Sequence, residues 1–216
     1  MLKLKQKIDQ NKKIFIIIAI LLVTVLIIFL INYYKNRNIG NNTINKTLEE
    51  VEDYILNIES YQSTIEVIIN SNKNNNKYIL KQAHLKNGEE YEDTQEVIEP
   101  ENIRGTILSY KNGTLETKNT NFNLTKIYSD YPYIENNNLW LNSFIKGYKE
   151  ASEKNKKISE KNGEILLTLK ICNDDKVSYK ELYFDKNTGK PTKLVIKNAN
   201  KKEKVYILYT EIELQH

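Results

Sequence analysis

Two histidines, one cysteine and a run of acidic residues are the side chains of this 216-residue chain with the types for catalytic or metal chemistry. His84 lies in an alternating, strand-like segment and His216 is the C-terminal residue. Neither has a nucleophile or second ligand at a recognisable spacing, and no His/Cys cluster is set out to hold zinc. Glu89, Glu90, Glu92 and Asp93 have the charge for calcium, but they follow an Asn-Gly turn without the Asp/Asn-Gly periodicity of a calcium loop. They read as a solvated strand edge. The seven glycines form no phosphate-cradling loop. Cys172 closes an apolar segment and reads as a small buried residue; alone, it cannot make an intramolecular disulfide. Paired carboxylates for hydrolysis are set by the fold rather than by spacing, and no pair stands out. The expectation is a noncatalytic chain with no metal and no cofactor.

What remains is aromatic. Trp140, Phe144 and Tyr148 recur at i, i+4 and i+8 within "NNNLWLNSFIKGYKEASEK", which places them on one helical face with Leu141 and Ile145, and Asn138 is the expected N-cap. One reading makes the stripe a core plug; the other makes it the lining of an apolar cavity for an acyl chain or a partner's segment. The spacing fits both.

These residues must be positioned by what lies around them. Residues 14–31 are apolar throughout except Thr24, and a helix of that length reaches about 27 Å against a bilayer core of about 30 Å. A cleavable leader would be shorter and end in small residues, whereas Asn32, Tyr33, Tyr34 and Lys35 follow. A lipoprotein leader needs a cysteine directly after its apolar run. The segment is therefore read as a retained membrane anchor over 14–32. Lys3, Lys5, Lys7, Lys12 and Lys13 precede it, so the positive-inside rule leaves residues 1–13 in the cytoplasm and the rest outside it.

That location also disposes of the net charge. The tail before Ile14 holds five Lys and one Asp of the chain's 32 basic and 28 acidic residues, which leaves 27 of each beyond it. A neutral exported part lacks the electrostatic footprint of nucleic-acid binding.

Residues 33–45 read as a linker and 46–216 as one domain of ordinary size. Thr47 with Glu50 forms a capping-box pattern ahead of Leu48, Val51, Ile55 and Ile58 at helical spacing. From Tyr61 the pattern turns strand-like, with hairpin signals at Asn87-Gly88, Asn112-Gly113 and Asn162-Gly163. Alternation stops between Asn119 and Asn162, where the aromatic helix is inserted. It resumes in "EILLTLKIC", "VSYKELYFD", "PTKLVIKN" and "EKVYILYTEIEL". The fold class expected is α+β: one curved antiparallel sheet with helices on one face.

A helix leading into "SYQSTIEVIIN", then "EVIEPENIRGTILSYKNGTLE" and then "NLWLNSFIKGY" resembles the order found in the LolA-like lipoprotein-carrier superfamily. Its members curl an extended sheet around helices as an incomplete barrel. Within it, an anchored Lys/Asn-rich chain is most similar to the germination lipoprotein GerS and GerS-related proteins of spore-forming clostridia, over residues 46–214. Those lipoproteins carry a lipidated cysteine that this chain lacks, so a transmembrane helix would take over the attachment. The resemblance implies a noncatalytic accessory at a cell membrane, with a forespore membrane one such place. It would serve spore-cortex peptidoglycan processing through a cell-wall amidase partner. The alternative is a lipid or lipoprotein carrier with an apolar ligand, although a permanent anchor suits a shuttle badly. A transmembrane regulator would need more than 13 cytoplasmic residues.

Overall fold

In the computed structural model, which describes residues 47–71, 74–131, 138–173 and 176–216, the first helix opens at the expected capping box. Thr47 Oγ1 accepts from the Glu50 amide at 3.2 Å, and Glu50 Oε2 accepts from the Thr47 amide at 2.7 Å. Two otherwise orphaned donors are thereby satisfied. The helix, α1 (Leu48–Leu56), buries Val51 and Ile55. Eleven strands follow, β1 (Ser60–Asn70), β2 (Asn75–Asn87), β3 (Glu90–Glu99), β4 (Thr106–Lys111), β5 (Thr114–Asn119) and β6 (Leu124–Tyr128) before the second helix, α2 (Leu141–Glu150). After it come β7 (Lys156–Lys161), β8 (Glu164–Asn173), β9 (Lys176–Asp185), β10 (Pro191–Asn198) and β11 (Glu203–Gln215).

All strands join one antiparallel sheet in the order β6-β5-β4-β3-β2-β1-β11-β10-β9-β8-β7. The topology is two meanders running outward from a central seam, where the first strand pairs with the last, Tyr61 opposite Leu214. Among the described residues each meander ends at an edge strand with one neighbour, and α2 lies in the connection between the two edge strands. A large antiparallel sheet with few helices is thus what forms.

At two of the expected hairpins, Asn-Gly is the whole loop: Lys111 pairs with Thr114 and Lys161 with Glu164, with positive φ at Asn112, Gly113, Asn162 and Gly163. That is the two-residue turn whose twist suits flanking strands. At the first, Asn87 still belongs to β2 and pairs with Glu90, so the loop is Gly88-Glu89. Gly189 ends the β9–β10 turn at φ +67°, and a Cβ there would stand 2.9 Å from the Tyr54 ring on α1. Only glycine fits.

The helices explain why the sheet bends. Asn142 of α2 reaches His84 on β2, while a methyl group at Gly147 would come within 3.3 Å of Leu169 on β8. In a flat sheet those two strands would be about 24 Å apart at about 4.8 Å per strand, whereas Asn142 and Gly147 are separated by about 8 Å along the helix axis. The sheet wraps α2 to make both contacts.

Two strands are not in the sequence reading. Both β6 and β7 lie in the stretch between Asn119 and Asn162 where alternation stops. The expected cap is also displaced: α2 begins after Trp140 rather than Asn138, and Trp140 makes no side-chain cap. Among the described residues no helix is long and apolar enough to cross a membrane. The expected tail (1–13), anchor (14–32) and linker (33–45) lie outside the described residues.

Candidate functional site

The aromatic stripe is built into the centre of the fold. Trp140 and Phe144 are 0 % exposed and Tyr148 1 %, in one apolar cluster with Tyr61, Ile65, Leu167, Leu182 and Leu194. Phe144 and Tyr148 stack at 5.7 Å between ring centroids. Burial pushes the Tyr148 hydroxyl well above the usual tyrosine range, helped by a hydrogen bond to Glu52. In this conformation the three side chains have no surface to offer a partner, and none of them lines either of the grooves described below.

The N-terminus of α2 is held by a buried polar cluster. Hairpin register sets His84 opposite Asp93 and Gln82 opposite Gln95. His84 Nδ1 donates to Asp93 Oδ1 at 2.6 Å, with Asn142 Nδ2 3.2 Å from the same ring nitrogen. Gln82 Nε2 donates to Gln95 Oε1 at 3.1 Å. The Tyr61 hydroxyl donates to Asn142 Oδ1 at 3.3 Å and accepts from the Leu141 amide at 3.2 Å. That last bond satisfies a first-turn helix donor that a capping side chain would otherwise take. A tyrosine from β1 thus replaces the Asn138 cap. Burial drives the Tyr61 hydroxyl well up, so it stays protonated and able to donate. Tyr91 stacks on His84 at 4.6 Å, nearly parallel.

This cluster corrects the reading of the acidic run. Asp93 is buried, not solvated, because its alternation puts it on the inner face while the register supplies His84 as partner. Buried charge persists where it is paired and hydrogen-bonded. The hairpin itself was the available signal: a two-residue loop closed by Asn87 and Glu90 sets 84 against 93. Cys172 is corrected too, being exposed near the end of β8. Among the described residues, no group of three His, Cys, Asp or Glu side chains is arranged for a metal ion. The His84–Asp93 pair has Asn142, Tyr61 and Tyr91 around it, a constellation that locks α2 onto β1–β3.

The remaining chemistry is at the β6 edge. Every residue of β6 is exposed, and among the described strands its register binds only β5, from Leu115 opposite Tyr128 to Asn119 opposite Leu124. Leu124 is 64 % exposed, Ile127 63 % and Phe122, in the turn before the strand, 63 %. The turn is locally fixed, since Asn119 Oδ1 accepts from the amides of Asn121 and Phe122 at 3.0 and 3.1 Å. Tyr128 and Tyr131 lie 5.9 Å apart at the far end, with Lys126 Nζ 4.8 Å from the Tyr128 ring centroid. The result is a strand edge whose outer side pairs with no described strand, with Leu124 exposed on one face and Ile127 on the other. Such an edge is a template for another strand.

Comparison with known proteins gives structural likeness alone. No family model matches the sequence, and no curated protein matches it. The fold is similar to that of GerS in its complex with the CwlD amidase from Clostridioides difficile, at 22% identity and a TM-score of 0.48, over 79% of this chain and 98% of that one. It is similar to a putative outer membrane lipoprotein-sorting protein domain from Vibrio parahaemolyticus, at 12% identity and a TM-score of 0.44, over 78% and 91%. A LolA superfamily protein from Nitrosomonas europaea matches at 12% identity and a TM-score of 0.37, over 79% and 94%. The solved structures that this chain resembles therefore include GerS and the LolA superfamily, the two groups that the sequence resemblance named.

Proposed function

We propose that this chain is a noncatalytic, membrane-anchored adaptor on the extracytoplasmic side, which binds a peptidoglycan amidase in spore-cortex processing and presents β6 to it. The observation that carries the reading is the β6 edge, whose outer side pairs with no described strand and which exposes Leu124 and Ile127 beside Phe122. Strand addition supplies main-chain hydrogen bonds for affinity and alternate side chains for specificity. The amidase and the spore setting rest on the sequence resemblance, and the attachment rests on the apolar run over 14–32. The carrier alternative would call for an apolar cavity. Two open grooves among the described residues are lined mostly by polar side chains, among them Asn138, Ser143 and Lys180 in one and Gln62, Lys81 and Glu211 in the other.

The test is co-expression of the full chain with each amidase of its own cell, followed by pull-down and a cell-wall digestion assay. The expected result is a complex with one amidase and no cleavage by the chain alone. Leu124→Asp with Ile127→Asp should dissolve that complex. Failure to bind any amidase, together with extraction of lipid from vesicles, would replace the adaptor by the carrier.

A further inference from the structure

Strand β9 breaks its own pattern at one position. Phe184, Leu182 and Lys180 alternate onto the inner face, and the first two are fully buried apolar residues. Lys180 is only 8 % exposed, set between Leu169 on β8 and Ile196 on β10, both buried. A lysine so placed buries its stem and carries its amine to accessible surface, here the groove beside it. Among the described residues Lys180 makes no ion pair and no hydrogen bond. Glu150, the one carboxylate on the walls of the adjoining groove, is exposed on α2 and does not pair with it. Burial of the stem pushes the amine below the usual lysine range.

The amine lines a groove of about 710 Å³ between α2 and strands β8–β10. Its other walls supply donors at Asn138, Ser143, Asn155 and Ser178, and its floor supplies apolar surface at Leu169 and Ile196. The volume is that of a small-molecule site, and the lining is mostly polar, as suits a charged ligand better than an apolar one. A neighbouring lysine, Lys146, adds to the positive potential. We infer that this groove binds a small organic anion, a carboxylate or phosphate ester with a short apolar part, whose charge is received by Lys180. The ligand would supply the counter-charge that no described residue gives Lys180. This site is independent of the β6 edge, so each reading can fail without the other.

The experiment is calorimetric titration of the full chain in a non-ionic detergent with butyrate, butyl phosphate and, as a control of the same tail, butylammonium. The expected result is that at least one anion binds more tightly than the cation, and the tighter of the two identifies the carboxylate or phosphate source. Lys180→Met and Lys180→Gln should each weaken that binding at least about tenfold, the scale of one charge-assisted hydrogen bond. Lys157→Met, an exposed lysine on β7, should leave it unchanged. Lys180→Met should also raise the melting temperature, since it keeps the buried stem and removes a partly desolvated charge; a lysine with a purely structural role would make the variant melt lower. The inference is overturned if neither anion outbinds the cation, or if a folded Lys180 variant binds as the parent does.

Discussion

The two free edges of the sheet are built in opposite ways. At one end β7 reads Lys156-Lys157-Ile158-Ser159-Glu160-Lys161, with Ile158 packed on the core and the lysines beside solvent. Lys156 pairs with Glu153 at 2.8 Å, Glu160 pairs with Lys186 at 2.7 Å, and α1 packs against the strand. Charge and cover are two standard ways of keeping an edge from recruiting another strand. At the other end β6 carries Leu124 and Ile127 exposed, and no described strand pairs with its outer side. A chain that protects one edge has the means to protect the other. The difference teaches where a partner should be sought.

The largest expected effect concerns the element that joins the two edges. Trp140 stands at the N-cap position just before α2 and is fully buried, so Trp140→Ala should cost about 3–5 kcal/mol of stability by lost apolar burial and the cavity left behind. Because α2 contacts strands of both meanders, the loss should appear at both edges together. Denaturant unfolding followed by circular dichroism is the measurement, as Trp140 is the only tryptophan. A cost below about 1 kcal/mol would mean that the stripe is not the core that its burial implies.

Matched charge substitutions sharpen the contrast directly. Ile158→Asp on β7 should destabilise the fold by about 1–3 kcal/mol, because a carboxylate then faces the core without a partner. Leu124→Asp with Ile127→Asp on β6 should leave stability within about 0.5 kcal/mol. The same double variant should weaken amidase binding tenfold or more, about 1.4 kcal/mol. If the β6 pair instead destabilises the chain as much as Ile158→Asp does, β6 is a structural edge and not a docking one.

The same contrast explains how far the sequence could be read. Strands with one buried face show it by alternation, as in Ile165, Leu167 and Leu169 of β8, and the Asn-Gly loops and the Thr47 capping box are local chemistry that needs no context. An edge strand lacks that imprint. All of β6 is exposed, so its apolar residues follow no inside-outside rhythm, and β7 offers the single apolar residue Ile158 among lysines. The amphipathic pattern of α2 was visible, but its cap was not, because the Tyr61 hydroxyl that replaces Asn138 comes from 80 residues away. Asp93 is an intermediate case, hidden by its acidic neighbours and recoverable from hairpin register. Lys180 was equally open to view as a lysine in an apolar alternation, yet its meaning depends on its making no ion pair with a described carboxylate, which only the fold reveals.

The smallest effect tests whether the cover over β7 acts locally. Thr47→Ala removes the hydroxyl that caps α1 and should cost about 1 kcal/mol. Since α1 packs against β7 while β6 is at the far end of the sheet, the loosening should not spread evenly. Local openings expose the elements that a lost contact had held, leaving others at their original protection. Hydrogen exchange should therefore speed up at Ile158 and Ser159 of β7, with the amides of β6 unchanged. Equal acceleration at both edges would mean that the cap stabilises the fold only globally. In that event α1 is not a specific cover for β7, and the asymmetry between the edges would rest on the lysines of β7 against the leucine and isoleucine of β6 alone.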